Sequence, residues 1–133
     1  MATILVVEDE FGITEVLQSA LGDAGHIVVT AINGKQGLEL LKERRPELVI
    51  LDFMMPVLDG LGMLRAMRDN PEYRDIPALL MSSLPESAVA ESASGTYAGF
   101  LRKPFQLRTA IEMVNRLLNG GRPPLDEPMR SPC

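Results

Sequence analysis

The sequence is poor in residues that form disulfides and many metal sites. It contains one cysteine, Cys133, at the end of the chain, and one histidine, His26. A single cysteine excludes an internal disulfide and a cysteine-rich zinc site. A single histidine excludes a histidine-rich metal site, and a Ser-His-Asp triad could use only His26. We interpret Cys133 as an inert tail residue and His26, which follows Gly25 before a strand, as structural.

Long apolar runs and basic stretches are also lacking. No uninterrupted run approaches the roughly 18 apolar residues of a membrane-spanning helix. The opening residues MATILVVEDE place acids where a secretory signal would carry basic residues. A cytoplasmic protein that does not bind membranes is therefore predicted. The formal net charge is −5 and no Lys/Arg stripe follows a predicted helix, so we expect no nucleic-acid binding by this chain alone.

Five short apolar runs alternate with segments of helical periodicity. The runs are ILVV (4–7), IVVTA (27–31), LVIL (48–51), ALLM (78–81) and FL (100–101). Their apolar residues are consecutive, which is typical of parallel strands covered on both faces. The pattern predicts an α/β domain of the form (βα)₅ over residues 1–119, in which the helix near 84–97 is weak. Residues 120–133 contain four prolines and are predicted to be a disordered tail.

Polar residues follow four of these five runs. Glu8 and Asp9 follow the first, Asp52 the third, Ser82 the fourth, and Lys103 comes shortly after the fifth. Ligands of open parallel α/β sheets bind beyond the carboxyl ends of the strands, so we expect these side chains to meet there. The second run is followed by no such group, which suits an edge strand.

The chemistry of these residues is consistent with phosphoryl transfer. Crowded carboxylates require a cation or raised pKa values, and an oxygen-rich site of this kind suits Mg²⁺. A carboxylate that faces the ion can become an aspartyl phosphate, while a lysine and a hydroxyl neutralise the phosphoryl oxygens. Singly, each residue has a structural reading as a helix cap, a loop start or a solvated charge. Their joint occurrence at four strand ends favours a single phosphoryl-transfer site.

Five segments make the chain resemble the receiver domains of two-component response regulators over about residues 3 to 118. They are VVEDE (6–10), NGKQGLELL (33–41), PELVILDFMMPVLDG (46–60), IPALLMSS (76–83) and GFLRKPF (99–105). The resemblance implies a flavodoxin-like, doubly wound, parallel five-stranded sheet in the order 2-1-3-4-5. Periodicity alone predicts only the alternation of strands and helices.

The resemblance also implies a metal site and a phosphorylation site. Asp52 would accept the phosphoryl group and, with Asp9, contact Mg²⁺ directly. Glu8 would act on the metal through water, and Met54 would offer its backbone carbonyl.

Three further residues would bind or respond to the phosphoryl group. Ser82 and Lys103 would be catalytic because they contact phosphoryl oxygens, and the Lys103–Pro104 bond is often cis in the family. Ser82 and Phe100 would form the switch, in which the aromatic ring turns inward as the hydroxyl moves. Phe100 lacks the hydroxyl of a tyrosine, so a switch that depends on an exposed phenol at this position is excluded.

The resemblance therefore implies a stand-alone receiver in a phosphorelay. Its phosphoryl donor would be a histidine kinase or a histidine phosphotransfer protein, and its downstream partner is an unknown protein. It would catalyse only its own phosphorylation and dephosphorylation, and would not otherwise be an enzyme.

Three alternative functions fit the sequence less well. A degenerate receiver acting as a constitutive interaction module would normally lack one of the site residues, and all are present here. An aspartate-nucleophile phosphatase needs a second aspartate where this chain has Met54. A flavin carrier would need a hydroxyl- and glycine-rich phosphate loop after the first strand, where this chain has acids.

Overall fold

Five parallel strands form a single sheet in the order β2-β1-β3-β4-β5. The computed structural model describes residues 2–55 and 57–119. The strands are β1 (Thr3–Val7), β2 (Ile27–Ala31), β3 (Leu48–Asp52), β4 (Ala78–Ser82) and β5 (Gly99–Arg102). The predicted α/β architecture and sheet order are confirmed. The predicted disordered tail, 120–133, lies outside the described residues.

A helix follows each strand. The helices are α1 (Phe11–Asp23), α2 (Gly34–Arg44), α3 (Gly60–Asp69), α4 (Glu86–Val89) and α5 (Leu107–Leu118). The side chains of Asn33 and Asp59 cap α2 and α3 by accepting hydrogen bonds from the backbone at 2.8 Å. Helix α4 is one turn long, and turns follow it up to β5, as the Ser-, Ala- and Gly-rich composition of 84–97 predicted.

The alternating side chains of the strands build one core on each face of the sheet. Leu5 and Val49 belong to the core that includes residues of α2 and α3, whereas Ile4 and Ile50 belong to the core that includes residues of α1 and α5. Every residue of β3 and β4 is buried, which explains why their sequences are apolar at consecutive positions. The central strands therefore have both faces covered, and polar residues can approach only at their ends.

Gly60 holds the start of α3 against the end of β3. A Cβ at Gly60 would lie 2.3 Å from the Asp52 carbonyl oxygen and 2.9 Å from the Phe53 Cα. Both are backbone atoms, so a side chain cannot be accommodated by a rotamer change. The Gly60 amide also donates a 3.0 Å hydrogen bond to the Phe53 carbonyl oxygen. The backbone that carries Asp52 is therefore packed directly against Gly60.

Gly60→Ala is expected to lower the free energy of unfolding by about 2 kcal/mol, because overpacking against backbone forces that backbone to shift. Urea denaturation measures the effect. Gly22→Ala is the matched control, since Gly22 lies in α1 and a Cβ there would meet nothing within 4 Å. Alanine should stabilise that helix by up to about 1 kcal/mol. A Gly60→Ala protein as stable as the wild type would contradict the close approach.

Candidate functional site

The carboxyl ends of four strands bring the predicted polar residues to one edge of the sheet. Asp52 ends β3 and Ser82 ends β4, while Glu8 follows β1 and Lys103 follows β5. Within the described residues, the buried polar or charged side chains are Glu8 (1% exposed), Asp52 (7%) and Ser82 (2%). Burial of such groups is costly without partners, so their concentration at one place marks a functional site.

Three carboxylates form the centre of this site. One side-chain oxygen from each of Glu8, Asp9 and Asp52 can be chosen so that all lie within 4.8 Å of one another. Asp9 is exposed, whereas the other two are buried. The arrangement brings together the acidic residues that the sequence predicted as metal ligands.

Lys103 is the cation of the cluster. Its ammonium lies 2.8 Å from Oε1 of Glu8, 3.2 Å from Oδ1 of Asp52 and 3.4 Å from Oε1 of Glu10. The Lys103 amide donates to the Ser82 carbonyl oxygen at 2.8 Å, which continues the pairing of β4 and β5 by one residue. The Lys103–Pro104 peptide is cis, as the resemblance implied.

Burial dominates the electrostatics of the carboxylates. It raises the pKa of Asp52, and Lys103 offsets this only in part, while Asp9 and Glu10 raise the pKa further. Burial likewise raises the pKa of Glu8 more than the Lys103 contact lowers it. For Lys103, burial lowers the pKa, but the contacts with Glu8 and Asp52 outweigh burial and leave the pKa raised. One ammonium therefore does not neutralise the site, and a further cation would be favourable there.

Ser82 lies on the strand next to Asp52, but its hydroxyl is engaged elsewhere. Its Oγ accepts a hydrogen bond from the Leu84 amide at 2.9 Å. No hydrogen bond joins its hydroxyl to Asp52 or Lys103 among the described residues. The serine is thus at the predicted edge of the site with its hydroxyl held by the loop that leads to α4.

Met54 follows β3 by two residues and is 65% exposed. A cavity of about 360 Å³ is lined by Met54, Asp9, Phe53, Met55 and Asp59. This cavity adjoins the exposed ligand candidate Asp9. The structure therefore brings Met54 next to the acidic cluster.

Phe100 lies on β5, on the side of the sheet that faces α3 and α4. The residue is half-buried and packs against the core on that face of the sheet. Its ring centroid lies 6.2 Å from the ring of Tyr97 at an interplanar angle of 55°. The predicted switch residue therefore has an aromatic neighbour on the same side of the domain.

Two residues of this region were missed by the sequence analysis. Glu10 was considered only as part of an acidic run, and its contact with Lys103 spans 93 positions of the chain. Tyr97 was considered only as part of a weak helical segment, yet its hydroxyl donates a 2.8 Å hydrogen bond to Oε2 of Glu86. The spacing of two residues between Glu8 and Glu10 was the available signal for Glu10. Nothing in the sequence indicated the Tyr97 contact.

Comparison with known proteins agrees with this geometry. The family model of the response regulator receiver domain matches residues 4–115. The chain belongs to this family. As a receiver domain it is 36% identical to the response regulator MprA of Mycobacterium sp. (strain KMS), over 98% of this chain and 55% of that protein. It is 35% identical to the probable transcriptional regulator ycf27 of Guillardia theta, over 87% of this chain and 46% of that protein.

The receiver domain spans about half the length of the curated relatives it matches. Among solved structures, it resembles the chemotaxis response regulator CheY4 of Vibrio cholerae, with a TM-score of 0.83 and 29% identity. That match covers 88% of this chain and 98% of the other. The predicted family and fold are therefore confirmed. Among the described residues, no helix has the length and apolar character needed to cross a membrane.

Proposed function

We propose that this receiver domain accepts a phosphoryl group on Asp52 in a Mg²⁺-dependent reaction and changes its protein partners as a result. The observation that carries the proposal is the buried Asp52 carboxylate, which has an ammonium at 3.2 Å and two further carboxylates beside it. A nucleophile, a cation for the phosphoryl oxygens and ligands for a metal are thus together.

The residues present fit a magnesium ion. Oxygen donors from Glu8, Asp9 and Asp52 converge, and the pKa values of Glu8 and Asp52 are raised mainly by burial, which the Lys103 contacts offset only in part. Mg²⁺ prefers such oxygen ligands and commonly keeps several waters. When bound, it would neutralise the carboxylates and the incoming phosphoryl oxygens. The Met54 backbone carbonyl is proposed as an additional ligand.

In the proposed reaction, an oxygen of Asp52 attacks the phosphorus of a phosphorylated histidine on a kinase or phosphotransfer protein. A new O–P bond forms, the P–N bond breaks, and its electron pair leaves with the imidazole. The Lys103 ammonium, 3.2 Å from Asp52, is placed to hold a phosphoryl oxygen. The Ser82 hydroxyl would exchange its bond from the Leu84 amide for a bond to another phosphoryl oxygen. The domain would catalyse only its own phosphorylation and dephosphorylation.

We further propose that the domain acts in the cytoplasm through protein partners and does not itself bind nucleic acid or membranes. The likeness to CheY4, of whose chain 98% is matched, supports signalling through the surface of the receiver itself. The formal net charge of −5 argues against direct binding to nucleic acid.

Incubation with acetyl phosphate and Mg²⁺ tests the acceptor function. We expect an acid-labile phosphoryl group on the protein, observed as an increase in intact mass, and its loss when a chelator removes divalent cations. The free ion should bind weakly without phosphate, because the protein supplies few ligands. Labelling at the same rate in excess chelator would refute the metal requirement.

The proposed switch predicts a change around α4. Movement of Ser82 towards a phosphoryl group would release the Leu84 amide, and Phe100 could move into the space that Ser82 vacates. Residues 84–97 hold only one helical turn, so their backbone is expected to exchange hydrogen fastest in the domain before phosphorylation. We expect protection there to rise about tenfold with a beryllofluoride mimic on Asp52, measured by mass spectrometry. Equal exchange in both states at full occupancy would contradict the switch.

A further inference from the structure

Glu10 is a third acidic contact of Lys103. Its Oε1 lies 3.4 Å from the Lys103 ammonium, and its side chain is 65% exposed. Glu10 does not belong to the group of carboxylates that could share a metal ion. Because Glu10 and Asp52 contact the same ammonium, their carboxylate oxygens lie within about 7 Å of each other.

Helix capping does not explain the position of this side chain. Glu10 is the N-cap residue of α1, but its side chain makes no capping hydrogen bond. Its backbone amide instead donates to Oε2 of Glu8 at 3.1 Å, which holds the Glu10 backbone beside the site. In the described part of the chain, Lys103 is the polar partner of its carboxylate. The charge of Glu10 is therefore held beside Lys103, close to the carboxylate that would accept the phosphoryl group.

We infer that Glu10 is a specificity residue that disfavours phosphoryl donors whose leaving group departs as an anion, relative to donors whose leaving group departs neutral. The inference rests on the proposed function, since it concerns the transfer to Asp52. It assigns Glu10 a role in the choice of donor that is separate from metal binding and from nucleophilic attack.

The charge of the leaving group decides the effect. With acetyl phosphate, Asp52 forms the O–P bond while the P–O bond breaks, and acetate leaves as an anion with the electron pair. With N-protonated phosphoramidate, the P–N bond breaks and ammonia leaves neutral with the electron pair. A phosphohistidine protonated on its second ring nitrogen likewise releases neutral imidazole. Relative to the free donors, a nearby carboxylate disfavours the transition state whose leaving group carries negative charge and favours the two whose leaving group still carries positive charge.

The size of the effect follows from the exposure of Glu10. Removal of one unit charge that lies roughly 6 Å from another unit charge, in a water-like dielectric, changes a rate by about threefold. Such a charge effect should also weaken in about 1 M salt, where the screening length is roughly 3 Å. An effect caused by misplacement of Lys103 would change the rates with both donors together and would persist in salt.

The test compares acetyl phosphate with phosphoramidate, two small donors whose leaving groups depart as an anion and as a neutral molecule, on the full chain at saturating Mg²⁺. Glu10→Gln keeps an oxygen that can accept from Lys103 and removes only the charge. We expect the ratio of the second-order rate constants, acetyl phosphate over phosphoramidate, to rise about threefold in Glu10→Gln at low salt and to approach the wild-type ratio in about 1 M salt.

Glu15→Gln is the matched control, because Glu15 is an exposed glutamate on the same helix and its change alters net charge equally. Its rate ratio should equal that of the wild type. An unchanged ratio in Glu10→Gln, or an equal rise in Glu15→Gln, would overturn the role of Glu10 while leaving the acceptor function intact. Failure of both donors to label the wild-type protein would instead overturn the proposed function, and the inference with it.

Discussion

Asp52→Asn is expected to reduce phosphoryl labelling by about two orders of magnitude or more while the protein remains folded, because an amide cannot replace the carboxylate nucleophile. The rate of mass increase with acetyl phosphate and Mg²⁺ measures the loss. The variant should be at least as stable as the wild type. Burial raises the pKa of Asp52, which means that the folded state favours an uncharged group at this position.

Asp59→Asn is the matched control for this variant. It makes the same carboxylate-to-amide change at a residue that lines the adjoining cavity. Asp59 caps α3 by accepting a hydrogen bond from the Gly62 amide, and asparagine is an equally good cap, so both stability and labelling should persist. Undiminished acid-labile labelling of Asp52→Asn would refute the assignment of the acceptor.

Lys103→Met is expected to lower the free energy of unfolding by about 3 kcal/mol at neutral pH without divalent cations. The substitution removes the Lys103 ammonium and leaves the buried carboxylates of Glu8 and Asp52 without a cationic partner. An uncompensated buried charge is strongly destabilising. Chemical denaturation in chelator measures the loss. Lys42→Met, at an exposed position of α2, is the matched control and should change stability little.

The loss caused by Lys103→Met should depend on pH. The pKa values of Glu8 and Asp52 are already raised by burial in the wild type, and loss of Lys103 removes a contribution that lowers them. The folded variant then binds more protons than the unfolded chain at pH values between the ordinary and the raised pKa values. Its stability therefore falls as pH rises through that window, and the difference from the wild type shrinks as pH falls towards 4. An equal loss at pH 4 and pH 8 would contradict this account.

Much of the fold was predictable from local pattern. The run Ile4 to Val7 predicted β1 to within one residue, because a central strand with both faces buried must be apolar at consecutive positions. The weakness of 84–97 was also predictable, since serine, alanine and glycine offer little apolar surface, and only Glu86–Val89 forms a helical turn. The sheet order, in contrast, came from the resemblance, because periodicity carries no information on which strands are neighbours.

The sequence predicted which residues form the candidate site, but not which of them contact one another. Asp52 and Ser82 could be placed at one edge because the carboxyl ends of parallel strands lie on the same side of a sheet. The sequence could not show that Ser82 accepts from the Leu84 amide, or that Lys103 reaches Glu8 across 95 positions. Those contacts depend on side-chain direction and on the relative position of separate loops.

The sequence by itself determined the kinds of groups at the site and the strands that carry them, because both follow from residue identity and short-range periodicity. Only the tertiary structure decided which charged groups contact one another and which are buried. It placed one ammonium among Glu8, Asp52 and Glu10, and it buried two of these carboxylates while leaving Glu10 exposed. Burial and distance set the energy of each charge, and both arise only when the sheet assembles and brings residues from distant parts of the chain together.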